Sequence, residues 1–222
     1  MRKTTSVFVT CLLSASILAA TSAFADNDGA TQYKVTIINL TRGQPIAPVM
    51  VATHRPGVTF FEAGGAPSDE LAMLAEAGNG TPMAEKLQAM PTVSEAKVTT
   101  MGVTLPSKST TLTISTKRGM NHVSVGAMLG RTNDAFFAIS DVELPKGRET
   151  VTYMANAYDA GTETNDELRS TVAGLGGEGY SPNDSGEGYV TIHSGVHGIG
   201  DLDAATTDWR NPVAEVIIER LN

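Results

Sequence analysis

The residues best placed to do chemistry are four oxygen donors in two short loops, Asn133 and Asp134 in one, Asp159 and Glu163 in the other. Three neighbouring antiparallel strands with acids in their loops can gather carboxylates at one edge of a sheet, and such a gathering needs a cation to neutralise it. Calcium takes about six to eight oxygens at roughly 2.3 to 2.6 Å, so three carboxylates with backbone carbonyls and water could fill its shell. Gly161, between the acids, allows a tight backbone path. The alternative is equally concrete: Asp134 and Asp159 cap turns and Glu163 is solvated.

The strands that must carry these loops are read from alternation. Val123, Val125, Ala127 and Leu129 occupy every second position, the period that puts residues on one face of a strand. Phe136, Ala138, Val142 and Leu144 resume it, and Pro145, Lys146 and Gly147 supply a turn before Val151, Tyr153 and Ala155. Upstream, Tyr33 to Leu40 (YKVTIINL) and residues 49–54 read as strands. Ser68, Asp69 and Glu70 begin a short helix carrying Leu71, Leu74 and Ala75, stopped at Gly78, and residues 82–90 form another turn or two of helix. Met101, Val103 and Leu105 alternate as a strand, followed by a half-solvated Thr-rich strand with Leu112 and Ile114. Residues 168–188 hold six glycines and form a long loop, of the length usually tied to function or mobility. A short strand at 189–193 and a closing strand at 213–221, with Ala214, Val216 and Ile218 on one face, complete the chain. Many short strands with one or two inserted helices specify an all-β fold, an antiparallel β-sandwich.

Residues 1–25 read as a signal peptide: Arg2 and Lys3 precede a short apolar stretch, and Ala23-Phe24-Ala25 has the form of a cleavage site. Cleavage near Ala25 implies a secreted or periplasmic protein, with one domain over residues 26–222. The single cysteine, Cys11, lies in that leader. Disulfides, thiolate metal sites and cysteine nucleophiles are thereby excluded from the mature chain. There, 14 basic residues face 24 acidic ones, a net charge of −10 that disfavours nucleic acid and anionic membranes.

Several blocks resemble the spondin N-terminal domain, the module of F-spondin and mindin. They are residues 33–39 with Pro45 and Pro48; Gly64-Gly65-Ala66-Pro67-Ser68 running into residues 74–78; residues 123–128 leading to Asn133-Asp134-Ala135-Phe136; and Tyr158-Asp159-Ala160-Gly161-Thr162-Glu163. The resemblance implies a C2-like sandwich of about eight strands, a calcium ion (Ca2+) at one edge, and adhesion or binding of an extracellular protein or glycan ligand without catalysis. It assigns the calcium carboxylates to Asp134, Asp159 and Glu163, with Glu163 standing where the family has aspartate. Asp166 and Glu167 are the next candidates.

Two other functions are open to this sequence. His193, His197 and Asp201 could serve a metal-dependent hydrolase, although Gly195, Gly198 and Gly200 oppose the helix that H-x-x-x-H pairing needs. A C2-like module could bind phospholipid through calcium, against which the net charge argues. His54 and His122 are read as strand residues with satisfied rings, and Trp209 as a packed aromatic. The glycines of residues 174–179 and Asp184-Ser185-Gly186 are read as loop rather than as a phosphate cradle or nucleophile turn.

Overall fold

The computed structural model describes residues 30–222, so the signal peptide and cleavage site expected within residues 1–25 lie outside the described residues. Nine strands run in chain order: β1 (Thr31–Asn39), β2 (Met50–His54), β3 (Val93–Val98), β4 (Ser109–Thr116), β5 (His122–Met128), β6 (Ala135–Glu143), β7 (Thr150–Asp159), β8 (Thr191–Ile192) and β9 (Ala214–Arg220). Between β2 and β3 lie α1 (Asp69–Glu76) and α2 (Thr81–Gln88), and a single turn, α3 (Ala204–Thr207), precedes β9. Neighbouring strands follow the path β3-β2-β5-β6-β7-β9-β1-β4, with β8 added to β7, and every pairing is antiparallel. This is the expected all-β sandwich.

The two layers share β7. Its residues 150–155 pair with β9, whereas residues 156–159 pair with β6. One strand thus turns the corner between sheets, and its end arrives beside the start of β6. Val35, Ile37, Val51, Val125, Phe137, Val216 and Ile218 fill the space between the layers, all fully buried. Their alternation in the sequence is the signature of that inner face.

The second sheet is buried on its outer face as well. Met50, Ala52, Phe136 and Ala138 point away from the first core and pack with Leu71, Leu74, Met83 and Leu87 of the two helices. Ser68 caps α1 by accepting the amide of Leu71 at 3.3 Å, as the sequence anticipated. The residues from 99 to 108 differ from expectation. Met101, Val103 and Leu105 are exposed and form no strand; the segment is tied down by the isolated bridge Ile46–Thr104 and by hydrogen bonds of Thr104, Ser107 and Lys108 to Asn39. The strand in this region is β3, whose polar sequence VSEAKV lies on the sheet edge against α2. Its hydrogen bonds to β2 outweigh a weak pattern, which is how tertiary context overrides local preference.

Candidate functional site

Register delivers the acids. Ala135 at the head of β6 is paired with Asp159 at the tail of β7, so Asp134 is placed beside Asp159, and the amide of Ala160 donates to the Asp134 carbonyl at 3.2 Å. The chain then reverses through Gly161, whose φ of +69° lies in the left-handed region. A Cβ there would sit 2.3 Å from the carbonyl oxygen of Tyr189, so both conformation and space require glycine.

That turn aims two backbone amides at one oxygen. Asp134 Oδ2 accepts from the amide of Thr162 at 2.8 Å, the amide of Glu163 at 3.1 Å and the Thr162 hydroxyl at 3.2 Å. Asp159 is held differently: Oδ1 accepts from the amide of Gly161 at 2.7 Å and Oδ2 from Asn165 Nδ2 at 2.6 Å. Asp134, Asp159 and Glu163 are all buried. Three of their oxygens are buried without any hydrogen-bond donor, Asp134 Oδ1 and both carboxylate oxygens of Glu163.

Burial without donors strains ionisation. Burial first, and then the charge on Asp159, push Asp134 up to about 7, the amides of Glu163 and Thr162 pulling the other way. Glu163 is pushed up to about 8 by burial and then by the charges of Glu76, Asp134, Asp184 and Glu178. Asp159 is also raised, chiefly by burial, against the bonds from Asn165 and Gly161. A buried carboxylate with no donor costs free energy unless a proton or a cation compensates it. The donor set is all oxygen and the orphaned atoms are carboxylates, which fits calcium and not a soft transition metal.

Asp166 and Glu167 serve the backbone instead. Asp166 Oδ1 accepts from the amide of Leu168 and the Thr171 hydroxyl. Glu167 accepts the consecutive amides of His197, Gly198 and Ile199 at 2.5, 2.6 and 2.9 Å, pinning the loop before α3. Both Glu167 oxygens are thus engaged by the backbone, and of Asp166 it is Oδ1 that is engaged.

The histidine loop does not converge. His193 is buried against Trp209 with ring centroids 4.9 Å apart, while His197 is exposed and Asp201 accepts the amide of Arg169. Among the described residues, His193, His197 and Asp201 do not form a group of metal-ligand atoms within 4.8 Å. His54 has a satisfied ring, bonding Ser124 Oγ and the Arg55 carbonyl, both at 2.8 Å, whereas His122 bonds Asp141 through Nδ1 only. Although serine, histidine and aspartate meet here, Ser124 and His54 are sealed within the sheet.

Acids that the sequence did not single out as ligands lie close to Glu163. Glu178 and Asp184, from the glycine-rich loop, and Glu163 each offer a carboxylate oxygen within 4.8 Å of the others. Glu76 at the end of α1 is buried nearby and accepts the amide of Ser181 at 2.7 Å. Their convergence comes from loop docking. No spacing in the sequence encodes it.

An antiparallel sandwich carrying buried acids on adjoining loops is the class of molecule that this fold and site define. A family model described as Spondin_N matches residues 40–173, well over half of the chain, and the chain belongs to this spondin N-terminal domain family. No curated protein matches the sequence. The family match includes Asp134, Asp159 and Glu163 and ends before Glu178 and Asp184. Among the described residues, no helix is long and apolar enough to cross a membrane.

Proposed function

We propose that this protein is a calcium-binding adhesion or ligand-binding module of the secreted or periplasmic space, acting without catalysis. The observation that carries the reading is the set of orphaned buried oxygens on Asp134 and Glu163. Asp134 and Glu163 would hold the ion, with Asp159 beside them. Calcium would supply charge neutralisation in place of the missing donors and draw the 129–135 and 159–163 segments together. Its role is structural first: an occupied site stabilises the fold by RT ln(1 + [Ca2+]/Kd), about 2.7 kcal/mol at a hundredfold excess over Kd. Loops adjoining the site would form the recognition surface for an extracellular protein or glycan. Membership of the spondin family supports this placement outside the cytoplasm, as does the leader sequence read from residues 1–25.

The test is the melting temperature in excess EGTA and in millimolar calcium, for the wild type and Asp159→Ala. The expected result is a calcium-dependent rise of several degrees that the substitution removes. An unchanged wild-type melting temperature would overturn the reading.

A further inference from the structure

The glycine-rich loop of residues 176–188 is fastened to the sandwich at its two ends and its middle. The amide of Glu178 donates to the Ser170 carbonyl at 2.8 Å, that of Ser181 to Glu76 at 2.7 Å, and that of Gly188 to the Gly161 carbonyl at 2.8 Å. Thr164 adds a hydroxyl bond to the Ser185 carbonyl at 2.9 Å. Docked in this way, the loop brings two acids to a third that is already buried. Repulsion among them should drive such a loop away.

From this arrangement we propose that Glu163, Glu178 and Asp184 form a second calcium position, distinct from Asp134 and Asp159, which locks the 176–188 loop onto the sandwich. The three carboxylates present oxygens within 4.8 Å of one another, the separation allowed to oxygens sharing one ion at about 2.3 to 2.6 Å. Glu163 is the second, independent observation. It is 1 % exposed, neither of its oxygens has a donor, and one of them faces the two loop acids within that spacing. Among the described residues, none of Glu76, Glu163, Glu178 and Asp184 is paired with a lysine, arginine or histidine, so no side-chain cation neutralises the group.

The surroundings suit a hydrated hard cation. Glu178 and Asp184 are exposed, and a cleft of about 240 Å³, lined by Glu76, Thr162, Ser181, Asp184 and Gly186, opens beside the cluster and gives water access to it. One of the Asp184 oxygens already accepts the amide of Ser185 at 2.7 Å, which orients its carboxylate. A position with two exposed ligands and water access would exchange its ion more readily than the buried acids. The loop would then be docked at high calcium and released at low calcium.

The inference shares Glu163 with the proposed function but needs neither Asp134 nor Asp159, so the two can fail separately. The experiment is calorimetric titration of the purified protein with calcium chloride, for the wild type, the double variant Glu178→Gln/Asp184→Asn, and Asp159→Ala. Both loop residues are exposed, so their isosteric replacement leaves the fold intact. The expected result is two ions per wild-type chain and one per double variant. One ion that survives in Asp159→Ala and is lost in the double variant would also support the second position, while removing the first. Superimposable titrations of wild type and double variant would overturn the inference and leave the proposed function standing. A single ion lost in both variants would overturn it too, by making all the acids one site. No calcium binding by the wild type would overturn both readings.

Discussion

Asp134 and Glu163 are joined through the backbone of one and the side chain of the other: the Glu163 amide donates to Asp134 Oδ2 at 3.1 Å, while the Glu163 carboxylate itself has no donor. The bond spends one oxygen of Asp134 on shaping the loop and leaves Oδ1 free. Twenty-nine residues apart in sequence, the pair is assembled by the Ala135–Asp159 register and by the reversal at Gly161.

Ionisation of this pair makes the cation-free protein pH-sensitive in a defined direction. Both folded-state values are raised, to about 7 for Asp134 and about 8 for Glu163, above ordinary carboxylate values near 4. The folded state therefore holds protons that the unfolded chain has released. Their contribution to stability is fully present below about pH 4 and is lost as pH rises through 7 to 8. In EGTA, chemical denaturation should show this part of the stability falling between pH 5 and pH 8.5, and Asp134→Asn/Glu163→Gln should flatten the fall. Calcium affinity should rise over the same interval, by up to about tenfold per pH unit for each proton displaced.

Gly161→Ala tests the turn between the acids. A left-handed backbone costs a non-glycine residue about 1–2 kcal/mol, and the new Cβ would also meet the Tyr189 carbonyl at 2.3 Å. The expected outcome is a loss of at least that size in urea denaturation, with calcium binding weakened. Gly57→Ala, also at positive φ but with open space around it, should cost stability without touching calcium binding.

Phe136 shows where the sequence was readable and where it was not. The period of two in β1, β7 and β9 follows from one buried face; β5 is buried on both faces, and its period was legible only because Ser124 and Gly126 separate Val123, Val125 and Ala127. Phe136 and Phe137 are both fully buried because β6 has helices outside and a sheet inside, so the alternation of Phe136 and Ala138 marks only one of its two buried faces and does not reveal the other. Met101, Val103 and Leu105 alternate yet find no partner strand, since position 104 makes only a single bridge. For the candidate site, Asp134, Asp159 and Glu163 were singled out by their acidic loops together with the resemblance to the spondin domain, and the Ala135–Asp159 register places Asp134 beside Asp159. Glu178 and Asp184 were not, because a glycine-rich loop declares freedom of path and says nothing of where it docks.

That doubly covered position makes a further prediction. Phe136 packs edge-on to Phe61 at 5.1 Å and stacks with Tyr158 at 5.6 Å, under the two helices. Phe136→Ala should cost about 3–5 kcal/mol by emptying this contact. Because the residue lies two positions from Asp134, calcium affinity should also be measured. With the fold maintained at low temperature it should change far less than in Asp159→Ala.

Glu167 holds three consecutive amides, and its removal tests whether it is a backbone clamp or a metal ligand. Glu167→Ala leaves the amides of His197, Gly198 and Ile199 without their acceptor, at a cost on the order of 3 kcal/mol. Hydrogen exchange at these three amides should accelerate in step with the loss, while calcium stoichiometry stays as in the wild type. A fall in stoichiometry with unchanged exchange would instead make Glu167 a ligand.

His193 sets the acid limit of the histidine loop. Burial first, and then the charge on His197, push its imidazole down to about 4, against the pull of Glu187, Glu167 and Asp208. Nδ1 accepts the amide of Gly195 at 2.9 Å, so the neutral ring carries its proton on Nε2, which has no partner. The unfolded chain takes up a proton near pH 6.5 and the folded one does not until about 4. The stability due to the neutral ring is therefore intact above 6.5 and lost as pH falls towards 4, amounting to a loss on the order of 2 kcal/mol by pH 4.5. His193→Asn retains an acceptor near the Gly195 amide but cannot titrate. Denaturation followed by the fluorescence of Trp209, the single tryptophan and the ring against which His193 packs, reports on this spot directly. The difference in stability between wild type and His193→Asn should shift in favour of the variant as pH is lowered from 7.5 to 4.5, and a difference independent of pH would show that His193 does not titrate in this interval.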